Sequence, residues 1–418
     1  MKNKLQGDNT YDVIVIGGGA SGMMAAGTAG ARGRKVLLLE KNKTFGKKLS
    51  ITGGGRCNIT NYELDVRALL KNYGNAEPFL YSPFAEFGVL DTERFFKNHG
   101  LSFVIEDRKR AFPHTMKSKD VQSAMESYCI KNNVTMMANT AVSEVLFENN
   151  RITGVIANNT LYTAQNYIIA TGGMSHPETG STGDGFHWLK NLGHTIVPPT
   201  PSLVPITIVE SWFKKISGVT LENIKIHFFV DGIKKTSKAG NVLCTHVGFS
   251  GPLIINTSKV IADWLYEGLV TAKIDLYPQK DLGMIDREIV TLFNTHKNKL
   301  FKNVIKDYMP SGTVPLILEI VGDVYAEKKV HSITKEERKY LVHLLKAIPA
   351  TINGLLGDDK SIVTDGGIIL EEVDMKTMQS KKYRNLFITG DLLHINRPSG
   401  GFSLQLCWTT GFVAGSSA

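Results

Sequence analysis

Residues 11–22 read YDVIVIGGGASG, an apolar run followed by a glycine-rich turn. The β-branched residues of the run favour a buried strand. The stretch from Ser21 to Arg32, rich in Ala, Met and Gly, predicts a helix packed closely against that strand. Gly33 and Arg34 interrupt the helix, and KVLLLE at 35–40 predicts a second buried strand. A strand, a helix and a strand within about 30 residues indicate the βαβ unit of an α/β fold with a Rossmann-type sheet.

The turn itself has the spacing G-x-G-x-x-G at Gly17, Gly19 and Gly22. The first glycine of this pattern permits a tight turn, the second lets a pyrophosphate approach the backbone, and the third lets the helix pack on the strand. The helix that starts at Ala20 and Ser21 would direct its free N–H groups at the phosphates. The pattern therefore predicts a dinucleotide site.

Glu40 ends the second strand about 20 residues after the turn, where a carboxylate can accept hydrogen bonds from ribose hydroxyls. An acidic residue here argues for FAD or NAD and against the 2′-phosphate of NADP. The neighbouring Lys41 could reach a phosphate or lie in solvent, and the residues leave both alternatives open.

A second glycine-rich segment follows the paired lysines Lys47 and Lys48 and reads TGGGRCN at 52–58. Three consecutive glycines are costly in a helix or a strand, so they indicate that a ligand approaches the backbone. We expect cofactor contacts from Lys48, Thr52, Gly53, Gly54, Arg56, Cys57 and Asn58. Asn58 could bind the edge of a flavin ring, and Cys57 is either a redox thiol or, since it has no partner cysteine nearby, a buried filler.

Two later segments complete the pattern, each at the end of a predicted buried strand. The first supplies Ala170, Thr171, Gly172 and Gly173, and the second supplies Gly390 and Asp391, followed by Gly400, Gly401, Phe402 and a final helix. Asp391 could accept hydrogen bonds from ribitol hydroxyls, and the helix N-terminus would stabilise negative charge at the flavin N1–C2=O edge. This second site near the end of the chain favours FAD over NAD.

Composition limits the class of protein. The chain has 418 residues, of which 42% are hydrophobic, enough for more than one domain. Its four cysteines, Cys57, Cys129, Cys244 and Cys407, form no C-x-x-C pair, which favours reduced thiols and a cytoplasmic protein, without a metal site. We see no signal peptide and no apolar run of membrane-spanning length. The net charge of +9 comes from scattered lysines and arginines, which argues against nucleic acid as the main partner.

The order of predicted elements suggests a discontinuous cofactor domain. Residues 119–132 predict an amphipathic helix, and three runs between 141 and 170 predict a β-meander. Residues 219–276 alternate as antiparallel strands do, and 279–307 and 334–347 have helical spacing. We therefore expect a cofactor domain of residues 1–191 and 361–418, an inserted β-rich domain of 192–278 and 348–360, and a helical subdomain of 279–347.

Several strings together resemble the aminoacetone oxidase family of FAD-binding enzymes, also described as BaiN-like NAD(P)/FAD-dependent oxidoreductases. They include GGGASG, GKKLSITGGGRCNITN, ATGGMSHPETGSTGDG, THVGFSGP and GDLLHINRPSGGFSLQ, and the resemblance spans about residues 10–416. It implies a glutathione-reductase-like FAD domain split by an inserted β-barrel-like domain and a small helical domain. It also implies that Val142 contacts adenine through its backbone. The chain departs from the family pattern at Asp391, His394, Arg397 and Phe402-Ser403.

The candidate catalytic residues are His394 and Arg397, because they follow Gly390-Asp391 and precede the glycines that would face the flavin. His176 and His246 are further candidate proton donors. We expect an oxidoreductase of a small organic molecule, acting by hydride transfer at flavin N5 as a reductase of an unsaturated or keto substrate or as an amine oxidase. No second G-x-G-x-x-G is present, so NAD(P)H would bind transiently. A flavoprotein that binds or modifies RNA and a non-catalytic flavin-bound regulator are the alternatives. The oligomeric state is left open.

Overall fold

The computed structural model describes residues 10–202, 204–356 and 363–418. They form two compact units, the first of Met1–Pro201 with Ser361–Ala418 and the second of Ser202–Lys360. The division into three domains that the sequence suggested stays a prediction. Among the described residues, no helix has the length and apolar character needed to cross a membrane.

The strands of the first unit and of the second are numbered together along the chain: β1 Thr10–Ile16, β2 Val36–Leu39, β3 Thr60–Asn61, β4 Phe103–Glu106, β5 Arg110–Pro113, β6 Thr135–Met137, β7 Val142–Glu148, β8 Arg151–Ala157, β9 Thr160–Ile169, β10 Ile196–Ser202, β11 Ile206–Ile208, β12 Thr220–Val230, β13 Ile233–Cys244, β14 Gly248–Ser250, β15 Val270–Asp275, β16 Ile348–Leu355, β17 Val363–Ile368, β18 Val373–Asp374, β19 Gln379–Ser380 and β20 Leu386–Ile388. The helices are α1 Ala20–Ala31, α2 Val66–Leu70, α3 Glu77–Glu86, α4 Val89–Asn98, α5 Ser118–Lys131, α6 Asp184–Asn191, α7 Pro252–Ile255, α8 Ser258–Glu267, α9 Leu282–Thr295, α10 Phe301–Val304, α11 Val314–Val321, α12 Asp323–Ala326, α13 Lys335–Lys346 and α14 Phe402–Ser417.

A sheet with the order β18-β19-β20-β9-β1-β2-β6 organises the first unit, and β8, which is paired with β7, branches from it by pairing with β9. Strands β1, β2, β6, β9 and β20 run parallel, which brings their carboxyl ends to the same edge. Helix α1 packs on this sheet with nine of its residues buried. The structure confirms the predicted βαβ unit, the β-meander of β7 to β9, the helix near 119–132 and the final helix.

Between β3 and β4 the first unit contains three helices, α2 to α4, that the sequence analysis did not predict. They pack around α14: Trp408 of α14 lies 5.3 Å from the Phe96 ring of α4, and Tyr73 donates to the Phe402 carbonyl. These contacts hold the start of α14 in place.

A closed barrel with the order β11-β14-β13-β12-β15-β16 forms the centre of the second unit. The buried side chains of α9 and α13 belong to the same apolar core as those of the barrel, for example Ile285, Leu341 and Ile226. The helical predictions near 279–307 and 334–347 are confirmed. The prediction of strands throughout 219–276 is wrong for 252–267, which form α7 and α8. Pro252 occupies the first helical position there, and Ile261 and Trp264 bury one face of α8 at helical spacing.

Candidate functional site

A cleft opens in the first unit at the carboxyl ends of β1, β2 and β9, with about 1190 Å³ of space including the part open to solvent. This is where parallel α/β sheets bind nucleotides. Of the predicted cofactor residues, the cleft brings together Gly17, Gly19, Ala20, Ser21, Glu40, Lys41, Lys48, Thr52, Val142, Ala170, Thr171, Gly172 and Asp391. The predicted residues outside its lining are Gly22, Gly53, Gly54, Arg56, Cys57, Asn58, Gly173, Gly390, Gly400, Gly401, Phe402, His394 and Arg397.

The three glycines of the first turn have different surroundings. A Cβ on Gly17 would lie 2.5 Å from the Ala170 carbonyl oxygen, and one on Gly22 would lie 1.8 Å from the Gly17 oxygen. A Cβ on Gly19 would meet nothing within 4 Å. Gly19 therefore faces the open cleft, as the pyrophosphate-approach role requires, while the other two permit close packing. Gly19 is also the N-cap of α1 and provides no side-chain cap for the helix N–H groups.

Glu40 is held at the end of β2 by main-chain donors. Its Oε2 accepts from the Gly18 N–H at 2.7 Å, and its Oε1 accepts from the Asn42 N–H at 2.8 Å. The Asn42 side-chain amide also donates to Oε1, at 2.7 Å, so only Oε2 keeps a further lone pair for a ribose hydroxyl. These bonds orient the carboxylate toward the cleft before any ligand binds.

Residues 174–184, called here the strap, lie over one side of the cleft. Lys41 forms an ion pair with Asp184 at 2.7 Å and donates to Thr182. The sequence had suggested a phosphate or solvent as the partner of its ammonium, and the partner is instead the strap. Asn42 donates to the Thr179 carbonyl at 2.9 Å, and Lys47 donates to the Glu178 carbonyl at 2.6 Å. The segment that follows β2 therefore holds the strap in place through side chains.

Lys48 and Thr171 supply polar groups inside the cleft. Burial lowers the pKa of Lys48, and nearby Asp391 partly opposes this effect. Its ammonium donates to the Ser175 hydroxyl at 3.2 Å. The buried Thr171 hydroxyl has no hydrogen-bond partner among the described residues. Such a group is costly to bury unless a ligand satisfies it.

Arg397 lies behind the cleft, only 2% exposed, and pairs with the Asp391 carboxylate. Its Nε donates to the Ser403 hydroxyl at 3.0 Å, and its Nη1 donates to the Ile395 carbonyl at 2.6 Å. Asp391 and Ser403 line the cleft, whereas Arg397 does not. The guanidinium thus sets the position of two groups that a ligand would contact.

The TGGGRCN segment packs against β5 and the start of α14. Arg56 stacks 4.2 Å from the centre of the Phe112 ring and pairs with Glu106. Cys57 is fully buried, and burial raises the pKa of its thiol to about 12, which favours the filler interpretation over a redox thiol. The amide nitrogen of Asn58 faces the Ala111 and Thr60 carbonyls, and its side-chain oxygen accepts from the Gly401 N–H at 3.0 Å.

Helix α14 begins at Phe402, directly after Gly400 and Gly401. A Cβ on Gly401 would lie 2.2 Å from the Thr60 main-chain carbon, so the helix start packs tightly on β3. No side chain caps the N-terminus of α14. Ser403, Leu404 and Cys407 of its first two turns line the cleft, so this helix end and that of α1 belong to the same site.

His394 lies in the irregular segment between Asp391 and α14. It is partly exposed, with Nε2 3.7 Å from the Asp365 carboxylate. His176 forms an ion pair with Glu178 in the strap at 2.9 Å. Neither residue lines the cleft. Their roles in proton transfer stay predictions.

Sequence reasoning missed several residues that line the cleft: Asn42, Thr140, Thr179, Ser181, Thr182, Asp184, Trp188, Ser403, Leu404 and Cys407. Lys47, which the sequence offered with Lys48 as a phosphate ligand, also lines it. Ser403 and Cys407 are one helical turn apart, a spacing that could have identified them once the flavin was placed at the start of α14. The strap residues carry no comparable signal because hydrogen bonds formed only in the folded chain place them.

The cleft fits FAD in the features that the described residues show. Gly19, the N-cap of α1, has open space beside it, and an oriented carboxylate ends β2. Two uncapped helix N-termini, those of α1 and α14, offer donors to phosphate and to the flavin edge. The assignment of each residue to a part of FAD stays a proposal.

Comparisons with known proteins agree with this reading. The chain is 28% identical over 412 residues to the 3-dehydro-bile acid delta(4,6)-reductase of Clostridium scindens, covering 97% of this chain and 98% of the relative. It is 27% identical over 403 residues to the ribosomal RNA dihydrouridine synthase of Escherichia coli, covering 96% of each.

Solved structures show the same fold. The 3-ketosteroid delta1-dehydrogenase of Sterolibacterium denitrificans matches with a TM-score of 0.53 and 13% identity over 97% of this chain and 99% of that one. The 3-ketosteroid-delta4-(5alpha)-dehydrogenase of Rhodococcus jostii matches with a TM-score of 0.53 and 13% identity over 100% and 98%. A family model described as the HI0933-like protein Rossmann domain matches residues 11–417. The chain therefore belongs to the HI0933-like family and is an FAD-dependent oxidoreductase.

Proposed function

We propose that this enzyme reduces a carbon–carbon double bond conjugated to a carbonyl group, with NAD(P)H as a transient electron donor. The observation that carries the proposal is the cleft, which places the phosphate-binding start of α1 and the uncapped start of α14 around one cavity. The names of the two relatives describe such a reduction, in a 3-dehydro-bile acid and in uridine. Their nearly complete coverage of this chain supports a shared chemistry.

Bound FAD would supply hydride transfer to the substrate. The main-chain donors from Gly17 to Ser21 would bind the pyrophosphate, Glu40 the ribose, and Asp391 the ribitol chain. Lys48 would add a positive charge near the flavin. At the start of α14, free N–H groups would stabilise negative charge at the N1–C2=O edge.

Arg397 would act as a positioning residue in this arrangement, since it is buried and holds Asp391 and Ser403. We assign the proton donor to His394, whose imidazole is partly exposed and lies 3.7 Å from Asp365. Replacing His394 with Asn would then lower kcat and leave the FAD content unchanged.

The test starts with the purified protein. A yellow protein that releases FAD on heating is expected, together with oxidation of NADH or NADPH that depends on an added enone. A 3-oxo-Δ4 steroid and 2-cyclohexen-1-one are suitable enones, and aminoacetone with oxygen tests the amine-oxidase alternative. Oxidation of aminoacetone without reduction of either enone would refute the proposal.

RNA is the second candidate substrate, because a uridine base contains a double bond conjugated to a carbonyl and the relative from Escherichia coli acts on ribosomal RNA. The decisive assay is dihydrouridine formation in ribosomal RNA from cells with and without the gene. No difference between the two would leave small molecules as the substrate class.

A further inference from the structure

The outer surface of the barrel in the second unit carries an aromatic ring and a histidine between lysines. In β12 the side chains of Ile226, Phe228 and Val230 are buried inside the barrel. Since side chains alternate along a strand, Lys225, His227 and Phe229 point outward.

The neighbouring strands extend this surface. His227 lies opposite Lys273 of β15 and Ser237 of β13, and Phe229 lies opposite Lys234 of β13. Directly opposed residues have side chains on the same face of a sheet, about 5 Å apart. We call Lys225, His227, Phe229, Lys234, Ser237 and Lys273 the basic barrel face.

Its lysines are not neutralised locally. Among the residues that the structure describes, Lys225, Lys234 and Lys273 form no ion pair, whereas the nearby Asp275 is paired with Lys346 at 2.6 Å. Burial lowers the pKa of His227. The neighbouring Lys234 and Lys225 lower it further, and Asp275, which lies opposite Lys225, opposes them. The Lys273 ammonium lies 5.3 Å from the centre of the Phe229 ring.

This combination matches what single-stranded nucleic acids require. A partly exposed aromatic ring offers a stacking surface to a base, and unpaired lysines around it attract phosphates. The His227 imidazole, which is hydrogen-bonded to Ser237 at 2.6 Å, can add a second planar contact. None of the six side chains is aliphatic, which favours an RNA strand over a lipid surface.

We propose that the basic barrel face binds a single-stranded segment of RNA. The inference rests on RNA as the second candidate substrate of the proposed function, and it assigns an RNA contact to the second unit alone. The binding itself requires no flavin chemistry, so the two can be tested separately.

The experiment measures binding of a fluorescein-labelled oligouridylate to the FAD-loaded full chain by anisotropy, at low and at moderate ionic strength. We expect binding that weakens with salt. The double variant K225E/K273E is expected to weaken binding by about tenfold or more, since two phosphate contacts become repulsive. The matched control K335E/K339E changes two exposed lysines of α13 and is expected to bind as the wild type does.

A further pair tests the stacking. F229A should weaken binding by about five- to tenfold, and F229W should restore it, because an indole ring also stacks on bases. Unchanged FAD content and melting temperature in each variant would show that the fold is intact.

Three results would overturn the proposal. The first is no binding at low ionic strength, and the second is an equal loss of binding in K225E/K273E and in the control. The third is displacement of the oligonucleotide by vesicles of anionic phospholipid whose own binding depends on Ile233. Enone reduction by the wild-type protein decides the proposed function separately. A protein that reduces enones and binds no RNA would refute only this inference. One that binds RNA but reduces neither an enone nor uridine in RNA would refute only the function.

Discussion

At the scale of single residues, the site depends on how much room each glycine of the first turn has. Gly17 and Gly22 sit against main-chain oxygens, and Gly19 faces open space. The sequence motif assigns the three positions different roles, and of the three only Gly19 would leave an added Cβ without a contact within 4 Å. A substitution at Gly17 or Gly22 should therefore impair folding, whereas one at Gly19 should impair ligand binding.

Replacing Gly19 with Ala is therefore expected to change the free energy of unfolding of the FAD-free protein by less than about 1 kcal/mol, because its backbone is extended and its new Cβ meets no atom. FAD affinity should fall tenfold or more, since the methyl group would occupy the approach of the pyrophosphate. Thermal unfolding and FAD titration measure the two effects.

Gly22→Ala is the matched comparison. Its Cβ would overlap the Gly17 oxygen, so the FAD-free protein should lose about 1–3 kcal/mol of stability as well as affinity. Equal melting temperatures for the two FAD-free variants would contradict this explanation.

A second prediction at this scale concerns Arg397. Arg397→Met leaves the buried Asp391 carboxylate without its cation, and the expected loss of stability is about 3 kcal/mol. In an Asp391→Asn background the same change should cost much less, because no buried charge remains unpaired. A double-mutant cycle by chemical denaturation measures this coupling, and additive effects would show that the pair does not act as a unit.

At the scale of elements, the strap shows how a loop becomes part of a site. Residues 174–184 contain one short turn of helix, and side chains from the segment after β2 hold them in place. Because loops without such contacts open easily, these bonds are expected to control how fast a bound dinucleotide leaves.

The double variant K41A/N42A is thus expected to release FAD about five- to tenfold faster than the wild type. Stopped-flow fluorescence after dilution into an excess of an apoprotein that binds FAD tightly would measure the rate. Lys43→Ala, an exposed lysine in the same segment, is the control and should leave the rate unchanged. Equal rates in all three proteins would show that the strap does not limit release.

At the scale of the whole molecule, the two parts of the first unit are joined by a buried polar cluster. His194, which follows α6, contacts Glu372 at 2.7 Å and Ser380 at 3.0 Å. Burial would raise the pKa of Glu372, but hydrogen bonds from Lys382, His194 and Thr195 lower it to about 2. Burial lowers the pKa of His194, and its hydrogen bond with Glu372 partly opposes this shift.

Both shifts have the same consequence for stability. The unfolded chain binds protons at His194 below about pH 6.5 and at Glu372 below about pH 4.3, where the folded chain does not. The stability that the cluster contributes is complete above pH 6.5 and is lost as the pH falls toward 2. Glu372→Gln should lower the free energy of unfolding at pH 7 by about 2–3 kcal/mol. It should also weaken the dependence of that free energy on pH below pH 6.5. Urea unfolding between pH 4 and 8 measures the effect, and parallel curves for both proteins would contradict it.

What the sequence determined by itself is the nucleotide-binding frame. The alternation of buried strands with a glycine-rich turn, and the return of such turns near residues 171 and 390, predicted an α/β cofactor domain and somewhat fewer than half of the residues that line the cleft. These features follow from local rules, because a tight turn needs glycine and a buried strand needs apolar residues.

Only the tertiary structure decided the partners of the charged groups. Arg397 and His394 look alike as residues near a flavin, but one is buried against Asp391 and the other is partly exposed. Lys41 could have met phosphate or solvent, and it pairs with Asp184 instead. Such contacts join residues up to about 140 positions apart, and their energies depend on burial and distance, which no local pattern in the chain encodes.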